Sequence, residues 1–186
     1  MATFEWYERV VQQDAFEQGD FFNNVPVPIL TTWEMGTQEA SDAIAAVPAR
    51  FARYDLILMT QSCDLLKFGS ADSVVLCPRL EYLKAAEQVP AYRGNGGWEN
   101  LRSGRIIGAH LLANCDLEGH QFDYQVVLLR QVISIPLGFL KDYSRQYAPS
   151  HIRLLPPYRE HLAQAFARQF MRVGLPVDLP SKYPMS

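Results

Sequence analysis

Apolar residues recur along the chain at several spacings, and each spacing names an element. In residues 4–18, FEWYERVVQQDAFEQ, the side chains of Phe4, Tyr7, Val11 and Ala15 fall at helical intervals, with Trp6 and Val10 alongside. This predicts an amphipathic helix stopped by Gly19-Asp20. FFNNVPVPIL is then extended, and Pro26 and Pro28 confine it to an edge or a loop because proline cannot donate to a ladder. Residues 34–50, rich in Ala and Ser with Gly36 and Pro48, read as a loop with room for one helical turn. YDLILMT, 54–60, is a strand, apolar on both faces near its end. SVVLCP, 73–78, is a second strand closed by proline, and LEYLKAAEQV, 80–89, turns helical. Four of the twelve residues of RGNGGWENLRSG are glycine, so 93–104 reads as a loop. RIIGAHLLANC and QFDYQVVLLRQVISI flank DLEGH, whose Glu118-Gly119 suits a tight turn, and predict a long β-hairpin ended by Pro136.

The final segment, PPYREHLAQAFARQFMRVGLP, starts on prolines suited to a first helical turn and stops at Gly174 with Pro176 beyond. It predicts a helix over 158–172. Leu162, Phe166, Phe170 and Val173 form one stripe, and His161, Arg168 and Arg172 fall on the opposite, basic face, read as solvated. The expected class is α+β: one domain over 1–186, with a bent antiparallel sheet or partly open barrel at about 19–140. A helix at the N-terminus and a helical extension at 150–175 pack on it.

Composition narrows the picture. The chain has 186 residues, 48% of them hydrophobic, enough for a sizeable core in a single domain. No run approaches the ~20 apolar residues of a membrane span, and MATFEWYERV is too acidic for a signal peptide. Three cysteines do not make a disulfide framework, which points to a reducing cytoplasm. Net charge is −3, but it is polarised: residues 1–42 hold eight acids and one base, Arg9, whereas 145–172 hold five arginines and one acid, Glu160. The chain has 13 Arg against 4 Lys, and arginine's planar fork suits carboxylates, phosphates and interfaces.

Candidate chemistry gathers where the strand 54–60 leaves the core, in Thr60-Gln61-Ser62-Cys63-Asp64. Strand ends deliver side chains from a rigid scaffold, so Gln61, Ser62, Cys63 and Asp64 are expected to rim a polar cleft. Cys63 is a nucleophile if a histidine, cation or helix N-terminus activates it, and a small packing residue otherwise. Asp64 is a catalytic carboxylate or a turn cap. QSCDL at 61–65 is echoed by NCDL at 114–117. Cys115 lies five residues from His110 and from His120, but the closely paired ligands of a structural zinc site are missing, so no metal is expected. Asp64, Asp116, Asp123 and Glu81 form no tight acidic dyad, and RGNGGWEN lacks the phosphate-loop pattern, so no cofactor is expected. Arg159 falls on the inward side of the last helix beside Tyr158; a buried guanidinium requires a partner, expected to be a carboxylate of the sheet, with Asp64 named for it.

GDFF, LILMTQSCD, SVVLCPRL and QVVLLRQVISIPLGFL, in that order, resemble the PemK/MazF-like toxins. The resemblance covers about residues 19–140 with large insertions. It implies an SH3-like β-barrel that opens on a Gly-Asp-hydrophobic step, ribonuclease activity, an antitoxin partner and usually a homodimer. The family's Thr or Ser after the proline of the third strand is Arg79 here, and the early family arginine is absent from NNVPVPILTTWEMG. TQSCDL with FMRVGLP also resembles a family of bacterial proteins of unknown function, which implies no activity. Three readings follow. The first is a non-catalytic binding module, an accessory subunit of a toxin–antitoxin or defence system. It would contact a partner protein or a nucleic acid through Gln61, Ser62, Arg79, Tyr158, Arg159, Arg168 and Arg172. The second is a nuclease toxin using Cys63, Asp64 and Arg79, with Arg159 on phosphate. The third is a thiol enzyme built on Cys63. None places the chain in a membrane.

Overall fold

β-Strand pairing across long sequence separations organises the chain. The computed structural model describes residues 5–11, 15–30 and 49–171. Eight strands and five α-helices are formed among them: β1 (Tyr7–Val11), β2 (Phe21–Leu30), β3 (Ala49–Leu58), α1 (Ser62–Leu65), β4 (Ser73–Glu81), α2 (Tyr82–Gln88), α3 (Gly94–Arg102), β5 (Ala109–Leu112), β6 (Gln125–Leu128), β7 (Ile133–Pro136), α4 (Leu137–Tyr147), β8 (Ser150–Leu154) and α5 (Tyr158–Phe170). The class is α+β, and every named strand pair is antiparallel. Six strands make one sheet in the order β2-β3-β4-β6-β5, with β7 also on β4; β1 and β8 make a separate ribbon.

β4 is the centre of the sheet. Leu76 pairs with Leu58 of β3 and with Ile133 of β7, so β3 runs along one edge and β7 along the other. β6 continues that second edge from Arg79 to Glu81. The sheet is covered on both faces, which is why LIL of β3 is uninterrupted: Leu56, Ile57 and Leu58 are all fully buried. Ile57, Cys77, Val127 and Leu129 face β8 and Leu162 of α5. Leu56, Leu58, Val74 and Leu76 face Leu140 and Tyr143 of α4. A smaller cluster, Val126 with Ala85 and Leu101, seats α2 and α3.

The ribbon meets the main sheet at Gly19-Asp20. Gly19 donates its N–H to Leu58 O and accepts from Leu154 N, at 2.8 and 3.0 Å. Its φ is +90°, and a Cβ there would sit 3.1 Å from Leu154 Cβ, so glycine is needed for both reasons. Asp20 is fully buried and forms a β-bridge with Arg153. Arg153 Nε donates to Asp20 Oδ1 at 2.6 Å, and its terminal nitrogens reach Asp20 Oδ2, Glu17 Oε1 and Ala15 O at 2.8–3.0 Å.

Several expectations are corrected. The N-terminal helix is not formed: Tyr7–Val11 is a strand paired with Ser150–Leu154, in the register Tyr7↔Leu154 to Val11↔Ser150. Its aromatic and β-branched residues fit a pleated ribbon once β8 supplies the partner. Gly94–Arg102 is a helix, not a loop. Gly97 is required because a Cβ would sit 2.2 Å from the backbone of Tyr92, and Trp98 packs edge-on to both Tyr82 and Tyr124. Tertiary contact thus overrides a glycine-rich composition. The hairpin holds only for β5 and β6; the chain turns after Leu128 and β7 leaves to pair with β4. Pro136 does end that strand, and α4 follows it directly. FFNNVPVPIL is extended at a sheet edge, as its prolines require. The last helix, expected over 158–172, runs from Tyr158 to Phe170; residues 31–48, Arg172, Val173, Gly174 and Pro176 lie outside the described residues.

Candidate functional site

The polar exit of β3 stitches the fold together. Thr60 Oγ1 accepts the Val75 N–H at 2.7 Å. Ser62 Oγ accepts from Gln18 N at 3.1 Å, and Gln18 Nε2 donates to Met59 O at 2.8 Å. Gln61 and Cys63 are exposed; Cys63 Sγ lies 3.7 Å from Gln61 Oε1 and 3.8 Å from Asp64 Oδ1, neither of them the base or cation that activates a thiol. Cys77 and Cys115 are buried, and burial pushes the Cys77 thiol up to about 12. The echo of QSCDL in NCDL carries no shared structure: Cys63 sits on α1, whereas Cys115 forms a β-bridge with Phe122.

The expected Asp64–Arg159 pair does not form. Asp64 is half exposed, and its ion-pair contact is Lys67 at 4.0 Å. Arg159 instead reaches Glu17 Oε2 at 2.9 Å and Glu160 Oε1 at 3.1 Å, so its carboxylates come from its own helix and from the segment before β2. Tyr158 is stacked on Trp6 with ring centroids 3.6 Å apart. Asp64→Ala should therefore change stability by less than about 0.5 kcal/mol, as exposed charges do. A urea midpoint shift of several times that size would restore the buried pairing.

Arg79 stands apart from the other sequence candidates. It projects from β4 between Cys77 and Glu81 on the face shared with Val127, and is 4% exposed. One terminal nitrogen donates to Gln125 Oε1 and the other to Asn23 Oδ1. Gln125 is placed by the Glu81↔Gln125 register, diagonal to Arg79 across the β4–β6 pair. The guanidinium carbon lies 4.7 Å from the Phe21 ring centroid and 5.7 Å from that of Phe122. Its partners are therefore neutral amides and aromatic faces. Among the described residues no carboxylate lies within ion-pair distance of it, and its Nε has no hydrogen-bonding partner. Burial pulls the group down to about 10, only partly offset by Asp55, Tyr7 and Cys115. Arginine stays protonated in proteins, so this value expresses the cost of burying the charge.

Arg79 belongs to a cleft of about 550 Å³ that also takes in Arg9, His120, His151, Asp55, Glu81 and Glu118, with Phe21, Phe122 and Tyr147. His151 is buried; its Nε2 is 3.1 Å from Asp20 Oδ2, yet the orientation makes no hydrogen bond and neither ring nitrogen has a partner. His120 Nε2 is 3.2 Å from Ser150 Oγ. Burial, then the nearby Arg9 and His151, hold its imidazole below the ordinary value. Among the described residues Arg79 Nε is a buried side-chain nitrogen without a partner, and Arg79 lines this cleft. The His151 ring turns instead to Phe22, Phe16 and Asp20, none of which lines it. A buried donor left unmade is costly.

Of the residues expected to bind or catalyse, Arg79 alone lines this cleft, together with Glu81 and His120, which the sequence offered only as metal-ligand candidates. Gln61, Ser62, Cys63, Asp64, Tyr158, Arg159 and Arg168 lie elsewhere, and Arg172 is outside the described residues. Nothing in the sequence singles out Asn23, Gln125, Phe122 or His151. The only local signal was an arginine inside the apolar run SVVLCPRL. No family model matches the chain, and no curated protein is significantly similar to it.

Proposed function

We propose that the protein is a non-catalytic binding module and that the cleft over Arg79 receives an acidic group of a partner protein. The supporting observation is the buried guanidinium itself, which carries a full charge, has no carboxylate within ion-pair distance among the described residues and leaves one donor unspent. A bound carboxylate would supply both the counter-charge and the missing acceptor. The charges around it favour a protein over a nucleic acid. Two arginines share the cleft with three carboxylates, a poor channel for a polyanion but a suitable setting for one acidic group flanked by cationic side chains.

The quoted motifs fall on β2, β3, β4 and β6–β7, which supports the further reading of a partly open SH3-like barrel related to the PemK/MazF-like toxins. An accessory subunit of a toxin–antitoxin or defence system fits that relationship. A second reading, the ribonuclease, is favoured by one observation: Arg79 and His120 line one cleft, and a cation with an imidazole can stabilise a phosphorane and move its protons.

Titration of the whole chain, followed through the Arg79 Nε–Hε resonance, separates the two. Acetate should shift that resonance with millimolar affinity. Short single-stranded RNA should bind no more tightly than acetate and should remain intact. Salt-dependent RNA binding, or cleavage that Arg79→Met abolishes, would replace the binding-module reading with the ribonuclease.

A further inference from the structure

A second cavity, of about 260 Å³, lies where α5 crosses the edge of the sheet. His110 of β5 lines it from the sheet, opposite Val127 and in one row with Arg79. His161, Gln164 and Arg168 line it from α5, and Arg102 and Ser103 close it from the end of α3. The face of α5 expected to be solvated is exposed at His161 and Arg168 and also forms one wall of the cavity, while Leu162 of the same helix is fully buried in the core.

Four basic side chains line the cavity, and among the described residues no carboxylate does. Arg102 is balanced by Glu99 just outside, at 2.9 and 3.0 Å. Arg168 is not balanced among the described residues. Lys67, Lys84, Arg102 and Arg145 each have an acid three residues earlier in the chain, whereas the position three before Arg168 is Ala165 and four before it is Gln164. Gln169 Oε1 is buried without a donor, and it sits beside Gly108 of the cavity wall, 2.9 Å from where a Cβ would be. The groups around His110 are all basic or neutral: His161 and Arg168 from α5, Arg102 from α3, and Arg130, whose side chain passes over Gly108. Burial, reinforced by His161, holds His110 down to about 4, so the empty cavity keeps it neutral at physiological pH.

We propose that this cavity binds a small phosphate-bearing solute, held by Arg168, His161 and His110. A phosphate offers three strongly accepting oxygens to donors arriving from three sides, which a planar carboxylate does not. The volume falls below the roughly 300–1,000 Å³ of pockets for drug-sized ligands, which suits a phosphate or a short phosphomonoester.

The test is inorganic phosphate titrated into the whole chain while the ring resonances of His110 and His161 are followed, with glycerol phosphate in parallel to separate free phosphate from a phosphomonoester as the occupant. Phosphate should shift both rings with millimolar or tighter affinity. Arg168→Ala and His161→Gln, both at exposed positions, should each weaken that affinity at least about tenfold. Arg79→Met should leave it unchanged, which keeps this site separable from the other cleft. Rings that do not move, or an affinity indifferent to Arg168→Ala, would overturn the proposal.

Discussion

Asp20→Ala is expected to cost about 3–5 kcal/mol, the loss seen when one member of a buried ion pair is removed. Asp20 is fully buried, and its carboxylate takes Arg153 through both oxygens while also accepting the Glu17 N–H at 2.9 Å. Removing it strands a guanidinium whose side chain is only 9% exposed. Glu17, more exposed, offers one remaining contact and cannot replace a bidentate partner. The loss falls on the junction between the β1–β8 ribbon and the main sheet, so amide exchange should accelerate first in Tyr7–Val11 and Ser150–Leu154. Urea unfolding with an unchanged m-value checks the size. A loss under about 1 kcal/mol would mean that the ribbon is held by apolar contacts alone.

The opposite sign is expected at Arg79. Among the described residues no carboxylate lies within ion-pair distance of it and Asp55 offsets its burial only in part, so replacing it with an apolar side chain removes a cost. Two effects work against the gain. The Phe21 and Phe122 faces contribute about 0.5–2 kcal/mol to holding the cation, and Gln125, also buried, would lose its donor. Gln125→Leu introduced with Arg79→Met disposes of the second effect. The double variant should be as stable as the wild type or more so, by up to about 3 kcal/mol, while losing the acidic ligand. A residue kept against stability is the signature of a binding group.

How far these features could be read in advance depends on how local their causes are. Strands β3 and β4 declare themselves because a sheet covered on both faces needs an unbroken apolar run. The C-terminal helix declares itself through its stripe and its opening prolines. Strand β1 does not, since its buried residues, Tyr7 and Val10, are three apart, a helical interval, and the strand that makes it extended starts at Ser150. Helix α3 is hidden because Gly97 serves a close packing on Tyr92 that no local rule encodes. Gly19-Asp20 was visible as a motif, but the arginine that explains Asp20 lies 133 residues further along the chain.

The candidate site follows the same logic. Arg79 stood out as a charge in an apolar strand. The pieces that define its surroundings, Asn23, Gln125 and Phe122, reach it from β2, from β6 and from the β5–β6 connection, and their side chains are ordinary where they stand in the sequence. The polar exit of β3 misled for a related reason. Thr60 and Ser62 look like site residues because they are polar at a strand end, yet each is consumed by one backbone hydrogen bond that holds a neighbouring segment.

The central claim is that Arg79 is kept buried and charged for a ligand. One paired measurement on the Arg79→Met/Gln125→Leu protein tests it: urea stability, and acetate binding compared with wild type by calorimetry. Stability at or above wild type with acetate binding lost is the expected result. A protein destabilised by more than about 2 kcal/mol that still binds acetate as wild type does would show that Arg79 serves the fold alone.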